Sequence, residues 1–489
     1  MRKADQHHED NSKQLEFSFF WAIVPLVVMI GIMLYTVVEL KQGPHIPLIV
    51  GTVTAALVAI KTGFSWKEVE EMMYKGIRLA LPAVVIIILV GLIIGSWMGG
   101  GIVATMIFYG LKLLSPTYFL VAICLICSIV SLAIGSSWST MGTIGVAGMG
   151  IGMAMGISPG MVAGAVISGA YFGDKLSPLS DTTNLASGLT DTDLFDHIKH
   201  MLWTTIPALI IALGIYAFLG SNVSGAIDAE QIAQTASVMQ ESFLISPWLL
   251  LVPIIVIGMV ALKVPAVPAL VIGAVLGFLS QVYIQGDDAT AALTALQEGY
   301  AIETGNALVD ALFNGGGLDS MMYTVSMTIV AMTFGGILEY SGMLKAIMNQ
   351  LLKLIRSTGS LIASTIGAAF LTNASCAEQY ISIVVPSRMF AGTYRKMGLA
   401  SKNLSRALED GGTLTSVFIP WNTCGVFIFG TLGVGVLEYG PYALLNLLCP
   451  VISIIYAYTG LTIAKIEGGG RGEGGMKEPA KTKSELQHV

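Results

Sequence analysis

The stretch Gly169–Asn184, GAYFGDKLSPLSDTTN, decides how this chain folds. An apolar run leads into it, and the stretch then places Asp174, Lys175 and Asp181 around Pro178. Proline removes an amide donor and breaks a helix, while charged side chains at membrane depth are costly and are usually kept for a function. A broken helix with carboxylates inside a bilayer is a known way to build a cation site. The stretch therefore predicts an ion-binding site within a membrane-spanning segment.

The composition indicates the same environment. Of 489 residues, 54% are hydrophobic and only 11% are charged, whereas soluble domains carry roughly 25% charged residues. The mean hydropathy of +0.76 agrees. Glycine is enriched, with 56 residues, which suits close helix packing in membranes. We expect an all-α polytopic membrane protein in the lipid bilayer, with about ten to fourteen spans judged from the apolar runs.

Positive charge indicates the orientation. Segment 61–78, between the second and third apolar runs, carries four basic residues. Segments 220–245 and 285–318 contain no Lys or Arg and carry several carboxylates. Because short cytoplasmic loops carry an excess of Lys and Arg, both termini are predicted to be cytoplasmic and the two acidic segments external.

Two halves of the chain share one pattern of small and polar residues. Each half has a small-residue segment predicted to form a hairpin and, after an apolar run, a polar interruption predicted to break a helix. The hairpins are expected at 135–156 and 372–392, and the broken helices at 173–184 and 409–422. Such repeats are typical of secondary transporters, whose site lies at the repeat interface near the bilayer midplane.

An ungapped alignment of the two interruptions superimposes Gly173 on Gly411 and Asn184 on Asn422, so corresponding residues are expected 238 positions apart. This gives the predicted organisation of the chain. It comprises a polar cytoplasmic N-terminus (1–16), a first transmembrane half (17–219), external acidic segments with connecting spans (220–318), a second transmembrane half (319–466) and a disordered cytoplasmic tail (467–489).

Candidate cation ligands in the first half are the oxygen-bearing side chains of the broken helix and of the GSSWST segment, because hard cations prefer oxygen. They are Asp174, Asp181, Ser177, Thr182, Thr183, Asn184, Ser136, Ser137 and Thr140. On an unbroken helix the two carboxylates would lie about 10 Å apart, so the break leaves open whether one or both hold the ion. The competing interpretations are a loop rich in helix caps and a small-residue helix interface.

The second half offers a matching set of candidates. They are Asn373, Ser375, Glu378, Asp410, Thr413, Asn422 and Thr423. Glu378 is a candidate proton carrier if it is partly buried. Glu409 and Asp410 are adjacent, so at most one is expected to face the site, and Asp410 lies nearer the break.

Two basic residues are candidate anion contacts. Lys175 could bind a substrate anion, pair with a carboxylate or extend to the surface. Arg388 is more simply explained as a cytoplasmic residue of the positive-inside pattern, with an anion-anchoring role as the alternative.

Other functional classes are not expected. The chain has no P-loop motif, no metal-binding histidine pattern and no recognisable catalytic nucleophile. His197 and His200, like His7 and His8, are placed near termini or loops. We therefore expect no enzyme activity, no catalytic residues, no cofactor and no nucleic-acid partner.

Two motifs carry a resemblance to a known family. GSSWSTMGTIG at 135–145 and YFGDKLSPLSDTTNLAS at 171–187 resemble the NhaC family of bacterial sodium/proton antiporters, and the similarity extends from about 17 to 466. The resemblance implies an inverted-repeat transporter with two re-entrant hairpins and two broken helices in the cell (inner) membrane, and it makes a homodimer plausible. It also implies exchange of Na+ against H+, although some members exchange malate and protons for lactate and sodium.

We accordingly expect a secondary active transporter that exports Na+ in exchange for H+. Asp174 or Asp181 would bind Na+ and a proton in turn. The first alternative is a sodium- and proton-coupled exchanger of a small carboxylate, of the malate/lactate type. A channel or membrane scaffold is a further alternative, which the paired broken helices disfavour.

Overall fold

The computed structural model describes residues 17–40, 42–223 and 229–466. These residues form helices joined by short connections, and no β-strand occurs among them. The predicted cytoplasmic segments 1–16 and 467–489 lie outside the described residues. The prediction of an all-α, polytopic membrane protein is confirmed.

The first half contains ten α-helices within the described ranges. They are α1 (Phe19–Met33), α2 (His45–Thr62), α3 (Trp66–Gly99), α4 (Ile102–Leu113), α5 (Pro116–Ile134), α6 (Ser137–Thr140), α7 (Val146–Ala154), α8 (Pro159–Leu176), α9 (Asp181–Leu189) and α10 (Leu194–Val223). The connecting region adds α11 (Ala229–Ser242), α12 (Leu251–Ala261), α13 (Ala266–Ser280), α14 (Ala289–Gln297) and α15 (Ala307–Phe313).

The second half continues from α16. Its helices are α16 (Gly317–Ser341), α17 (Met343–Leu352), α18 (Thr358–Cys376), α19 (Gln379–Lys396), α20 (Ser401–Leu408), α21 (Thr423–Leu432), α22 (Val436–Tyr439) and α23 (Leu444–Thr459). Wider π-helical turns occur at Leu34–Glu39, Met141–Gly145, Gln281–Gln285 and Glu409–Thr413, and 3-10 turns at Pro247–Leu250, Ser416–Phe418 and Gly440–Tyr442.

Seven helices of the described residues are long and apolar enough to cross a membrane, or up to ten spans if each bent helix pair counts as one. The upper count meets the lower end of the expected ten to fourteen spans. Some apolar runs form helices that are too short for a straight span of about 20 residues; α4, for example, has 12 residues.

Both predicted helix breaks are present. In the second half, Ser401–Phe418 and Thr423–Leu432 are bent by 48° across the break at 419–422. In the first half α8 ends at Leu176 and α9 begins at Asp181, which leaves the break at 177–180. Pro178 lies in this break, where its missing amide costs no helical hydrogen bond.

The turns of the two predicted hairpins lie at sharply defined positions. Gly135 adopts a left-handed conformation (φ 75°) where α5 ends, and Ala377 does so (φ 57°) where α18 ends. The first turn is thus at the start of the predicted hairpin 135–156, and α6, the π-turn and α7 together form one helical arm. The glycines of that arm pack against neighbouring helices, as Gly148 does against Ile123.

The turns and breaks of the two halves are in the same register. Each turn is followed by an extended N-cap residue, Ser136 or Glu378, and each break ends in another, Ser180 or Asn422. The second cap follows the first by 44 residues in both halves, and equivalent residues are 242 positions apart. The expected shift of 238 was therefore wrong by four residues, or about one helical turn. Such a slip keeps the same helix face, so the residue pattern could not reveal it. We call residues 135–138 together with 174–181 the first crossing, and residues 377–380 together with 419–427 the second.

Close helix packing positions the first crossing. A Cβ atom on Gly169 or Gly173 of α8 would collide with the backbone of α5 at Cys124 or Leu132. These glycines therefore let α8 lie against α5 at short range. As a result Asp174, the next residue of α8, faces the turn that follows α5.

Candidate functional site

The first crossing joins a carboxylate to a serine. Ser137 donates to Asp174 Oδ2 from its backbone amide at 3.1 Å and from its hydroxyl at 2.6 Å. The Ser180 hydroxyl also lies beside the carboxylate. Asp174 is buried, with 7% of its surface exposed. The structure thus brings the GSSWST segment and the broken helix together at Asp174.

Other predicted ligands of the first half hold the break in shape. Thr183 Oγ1 donates to the Lys175 carbonyl at 3.0 Å. The Asn184 amide donates to the carbonyls of Pro178 (2.9 Å) and Ser180 (2.7 Å). These bonds satisfy carbonyls that the break frees from the helix. Thr183 and Asn184 therefore keep the two helix ends in place.

The second crossing has a corresponding network. Glu378 is the N-cap of α19, and Thr423 Oγ1 donates to Glu378 Oε2 at 3.0 Å. The Asn373 amide donates to the Gly412 carbonyl at 2.7 Å. The Asn422 amide in turn donates to Asn373 Oδ1 at 3.1 Å. The turn and the break of the second half are thereby joined at Glu378.

The remaining predicted hydroxyl ligands are engaged locally. Thr140 Oγ1 and Ser375 Oγ donate to carbonyls one helical turn earlier, of Ser136 and Leu371. Ser177 Oγ accepts from the Leu179 amide at 3.2 Å. Thr140, Ser375 and Ser177 do not line the cavity that lies between the two crossings.

A cavity of about 300 Å³ lies between the two crossings. Its polar lining consists of Asp174, Asp181, Ser136, Ser137 and Thr182 from the first half and Glu378, Gln379 and Tyr380 from the second. One apolar wall comes from α3, at Leu79, Pro82, Ala83 and Ile86. No Lys or Arg is among the described residues that line it. The cavity is thus bordered by three carboxylates and no fixed cation.

Two contacts connect the crossings across this cavity. The Tyr380 hydroxyl donates to Asp181 Oδ2 at 3.2 Å. Trp138 stacks on Phe427 with ring centroids 4.3 Å apart. Sequence reasoning missed Tyr380 and Gln379, although both directly follow the candidate Glu378.

The three carboxylates do not form a ready metal cage. Within the described residues no three His, Cys, Asp or Glu side chains come close enough together to hold a metal ion. A transported cation here would take one or two carboxylates and complete its shell with hydroxyl, carbonyl or water oxygen. The assignment of Na+ to Asp174 and Asp181 stays a prediction.

The predicted anion contacts lie elsewhere. Lys175 forms a fully buried ion pair with Asp410, which is 235 residues away in the sequence. Arg388 is exposed on α19, outside the lining of the cavity. Their roles as anion contacts stay predictions.

Two adjacent acidic residues lie near Lys175, and neither of them lines the cavity. Glu409 and Asp410 are both fully buried, because they lie in a π-helical turn packed among other helices. His197 is fully buried on α10, near the start of that helix. Its three-residue spacing from His200 on one helical face was the available signal.

Comparisons with known proteins agree with this architecture. The profile described as the Na+/H+ antiporter family matches residues 169–461. A Na+/H+ antiporter NhaC of Alkalihalophilus pseudofirmus is 40% identical over 91% of this chain and 96% of its own length. A malate-2H+/Na+-lactate antiporter of Bacillus subtilis is 38% identical (91% and 95%), and the arginine/ornithine antiporter ArcD of Halobacterium salinarum is 35% identical (93% and 94%).

The family match covers more than half of the chain and includes the broken helix of each half. The two antiporters that match 91% of the chain extend the similarity beyond that region. This chain belongs to the Na+/H+ antiporter family.

Proposed function

We propose that this chain is a secondary active transporter of the cell (inner) membrane that exports Na+ in exchange for H+. The observation that carries the proposal is the cavity between the crossings. Each half contributes a buried carboxylate to it, Asp174 or Glu378, and each carboxylate accepts a hydroxyl hydrogen bond from the opposite element of its own half.

Asp174 is the principal ion ligand in this proposal. Ser137 fixes the carboxylate through Oδ2, and the side chain borders the cavity. A carboxylate can hold either a sodium ion or a proton but not both on the same oxygen. Competition at this group therefore couples sodium release to proton uptake without a second pathway.

The position of the cavity supports a direction of access. Its apolar wall is the middle of α3, the helix that begins within the basic segment 61–78. If that segment is cytoplasmic, as the positive-inside rule predicts, the cavity faces the cytoplasm and the termini lie on the same side. Homodimer formation is a prediction of the resemblance alone.

The organic-anion alternative is less well supported. One relative is a malate/lactate antiporter, and about 300 Å³ is room enough for a small molecule. An anionic substrate, however, would meet Asp174, Asp181 and Glu378 with no basic side chain among the described lining residues. Like charges repel strongly at such short range, so the lining favours a cation.

Purified protein in proteoliposomes tests the proposal. With an imposed pH gradient, added Na+ should collapse the gradient at a saturable rate, and Asp174→Asn should abolish this activity while the protein keeps its elution profile. Glu339→Gln, a carboxylate of α16 outside the cavity, serves as the matched control. Malate–lactate counterflow without Na+-driven proton movement would instead establish the alternative.

A further inference from the structure

A second group of ionisable side chains lies apart from the cavity. It combines residues of α8, α10, α20 and the π-turn after α20. Its members are Lys175, His197, His200, Arg406, Glu409 and Asp410. Five of them are fully buried, and His200 is 7% exposed. We call this group the buried charge cluster.

One carboxylate oxygen takes most of the contacts in this cluster. Asp410 Oδ1 accepts from Lys175 Nζ, from the Cys449 thiol at 3.2 Å and from the Thr204 hydroxyl at 3.4 Å. Lys175 Nζ also donates to Cys449 Sγ at 3.3 Å. The ion pair between α8 and the π-turn is therefore anchored by neighbouring helices.

Many other polar atoms of the cluster lack a well-aligned hydrogen bond. Within the described part of the chain, no well-aligned hydrogen bond reaches the following atoms: both oxygens of Glu409, Asp410 Oδ2, both ring nitrogens of His197, His200 Nε2 and two nitrogens of Arg406. The Thr413 hydroxyl lies beside Glu409, and the Asn403 side chain lies beside His200. Leaving a buried polar group unsatisfied costs about 1–3 kcal/mol. Because unpartnered donors and acceptors occur side by side, water molecules and exchangeable protons would satisfy both.

One member of the cluster lies close to the surface, next to a residue that lines a surface pocket. His200 is its least buried member and lies beside Lys402, Asn403 and Arg406. Lys402 lines a surface pocket of about 550 Å³ together with Asp196 and Tyr394. From His200 the cluster continues through His197, which is within electrostatic range of Asp410 and Lys175.

The cluster reaches the ion site at its other end. Lys175 directly follows Asp174 in α8, and Glu409 is within electrostatic range of Asp174. Charge at Glu409 therefore acts on whatever ion Asp174 holds. Other ionisable groups surround Glu409 and Asp410. They are Lys175 from α8, His197 and His200 from α10, Tyr394 from α19, Arg406 from α20, and Cys449 and Tyr456 from α23.

We propose that the buried charge cluster is a second proton-binding site, additional to Asp174, and that Glu409 carries its proton. This inference rests on the proposed Na+/H+ exchange. A proton from water in the surface pocket adds to one ring nitrogen of His200, and the imidazole releases its other proton inward. His197 repeats this step, and the proton comes to rest on a Glu409 oxygen.

Measuring two fluxes in proteoliposomes tests this inference. Exchange of ²²Na+ for Na+ needs no proton, whereas a pH dye and ²²Na+ together give the ratio of protons to sodium ions moved. Glu409→Gln should keep Na+/Na+ exchange within about twofold and should lower the proton-to-sodium ratio by one. Glu339→Gln is the matched carboxylate-to-amide control and should leave the ratio unchanged.

Two histidine variants test the inference independently, in case Glu409→Gln fails to fold. His197→Gln and His200→Gln should slow Na+/H+ exchange several-fold and leave Na+/Na+ exchange intact. An unchanged ratio and rate in all three variants would overturn the inference, as would loss of both exchange modes together. If the unmodified protein moved no protons with Na+, the proposed function itself would fail, which is a distinct result.

Discussion

The two crossings share a backbone plan but place their chemistry in opposite positions. In the first crossing the turn supplies the hydroxyl, Ser137, and the broken helix supplies the carboxylate, Asp174. In the second crossing the turn supplies the carboxylate, Glu378, and the broken helix supplies the hydroxyl, Thr423. The two halves therefore match in their turns, breaks and N-caps and differ in which element carries the carboxylate. One carboxylate–hydroxyl pair per half is what the two crossings retain in common.

The largest effect is expected from Glu378→Gln, which tests whether the second crossing takes part in transport. Glu378→Gln should reduce Na+/H+ exchange at least about 100-fold, which is also the effect expected of Asp174→Asn. Each substitution removes the negative charge that one half contributes to the cavity. The measurement is the rate of Na+-induced collapse of a pH gradient. If Glu378→Gln transports normally, the second crossing is a scaffold and the first crossing alone binds the ion.

A smaller effect is expected from the hydroxyl partners. Hydrogen bonds to a charged group contribute about 1.5–3 kcal/mol, so Ser137→Ala and Thr423→Val should each raise the KM for Na+ by roughly 10-fold or more. Thr143→Val is a suitable control, because Thr143 Oγ1 bonds only within its own helical arm. Equal KM values for all three variants would show that the hydroxyls of Ser137 and Thr423 do not contribute to Na+ binding by the two carboxylates.

The contact between the crossings should matter less. Tyr380→Phe removes the 3.2 Å hydrogen bond to the partly solvated Asp181, and we expect a two- to fivefold fall in exchange rate, consistent with about 0.5–1 kcal/mol. Asp181→Asn in the same assay distinguishes the two candidate carboxylates. Loss of exchange as complete as in Asp174→Asn would make Asp181 an essential ligand as well.

The smallest effect concerns the turns themselves. Ala377 is left-handed (φ 57°), a conformation that costs an L-residue about 1–2 kcal/mol, while glycine costs folding entropy of about 0.5–1 kcal/mol. Ala377→Gly should therefore raise the free energy of unfolding by no more than about 1 kcal/mol. Gly135→Ala should lower it by more, because its Cβ would meet the backbone at Leu179 and Ser180. Thermal unfolding of the detergent-purified protein measures the stability of both variants. If Ala377→Gly were the less stable of the two, the two turns would not be equivalent.

Local chemistry made much of this site predictable. Pro178 and the nearby acids predicted the break, and the small residues around Gly135 predicted that the GSSWST segment lies in the same site. Contacts between distant helices were not predictable from one sequence. The sequence around Lys175 or around Asp410 does not indicate that these two residues, 235 positions apart, form a pair. Glu409 is buried together with Asp410 because both lie in the π-turn. The four-residue error in register has the same origin, since a shift of one turn preserves the helix face that the pattern reports.

The Lys175–Asp410 pair also has a consequence for how relatives of this chain can evolve. Removing either partner alone leaves an uncompensated buried charge, which typically costs about 3–5 kcal/mol, whereas replacing both with apolar residues of similar volume is often neutral. Single substitutions at these positions should therefore be rare among functional relatives, and the two positions should change together. An alignment of the family would then record this contact as a covarying pair that joins its two halves.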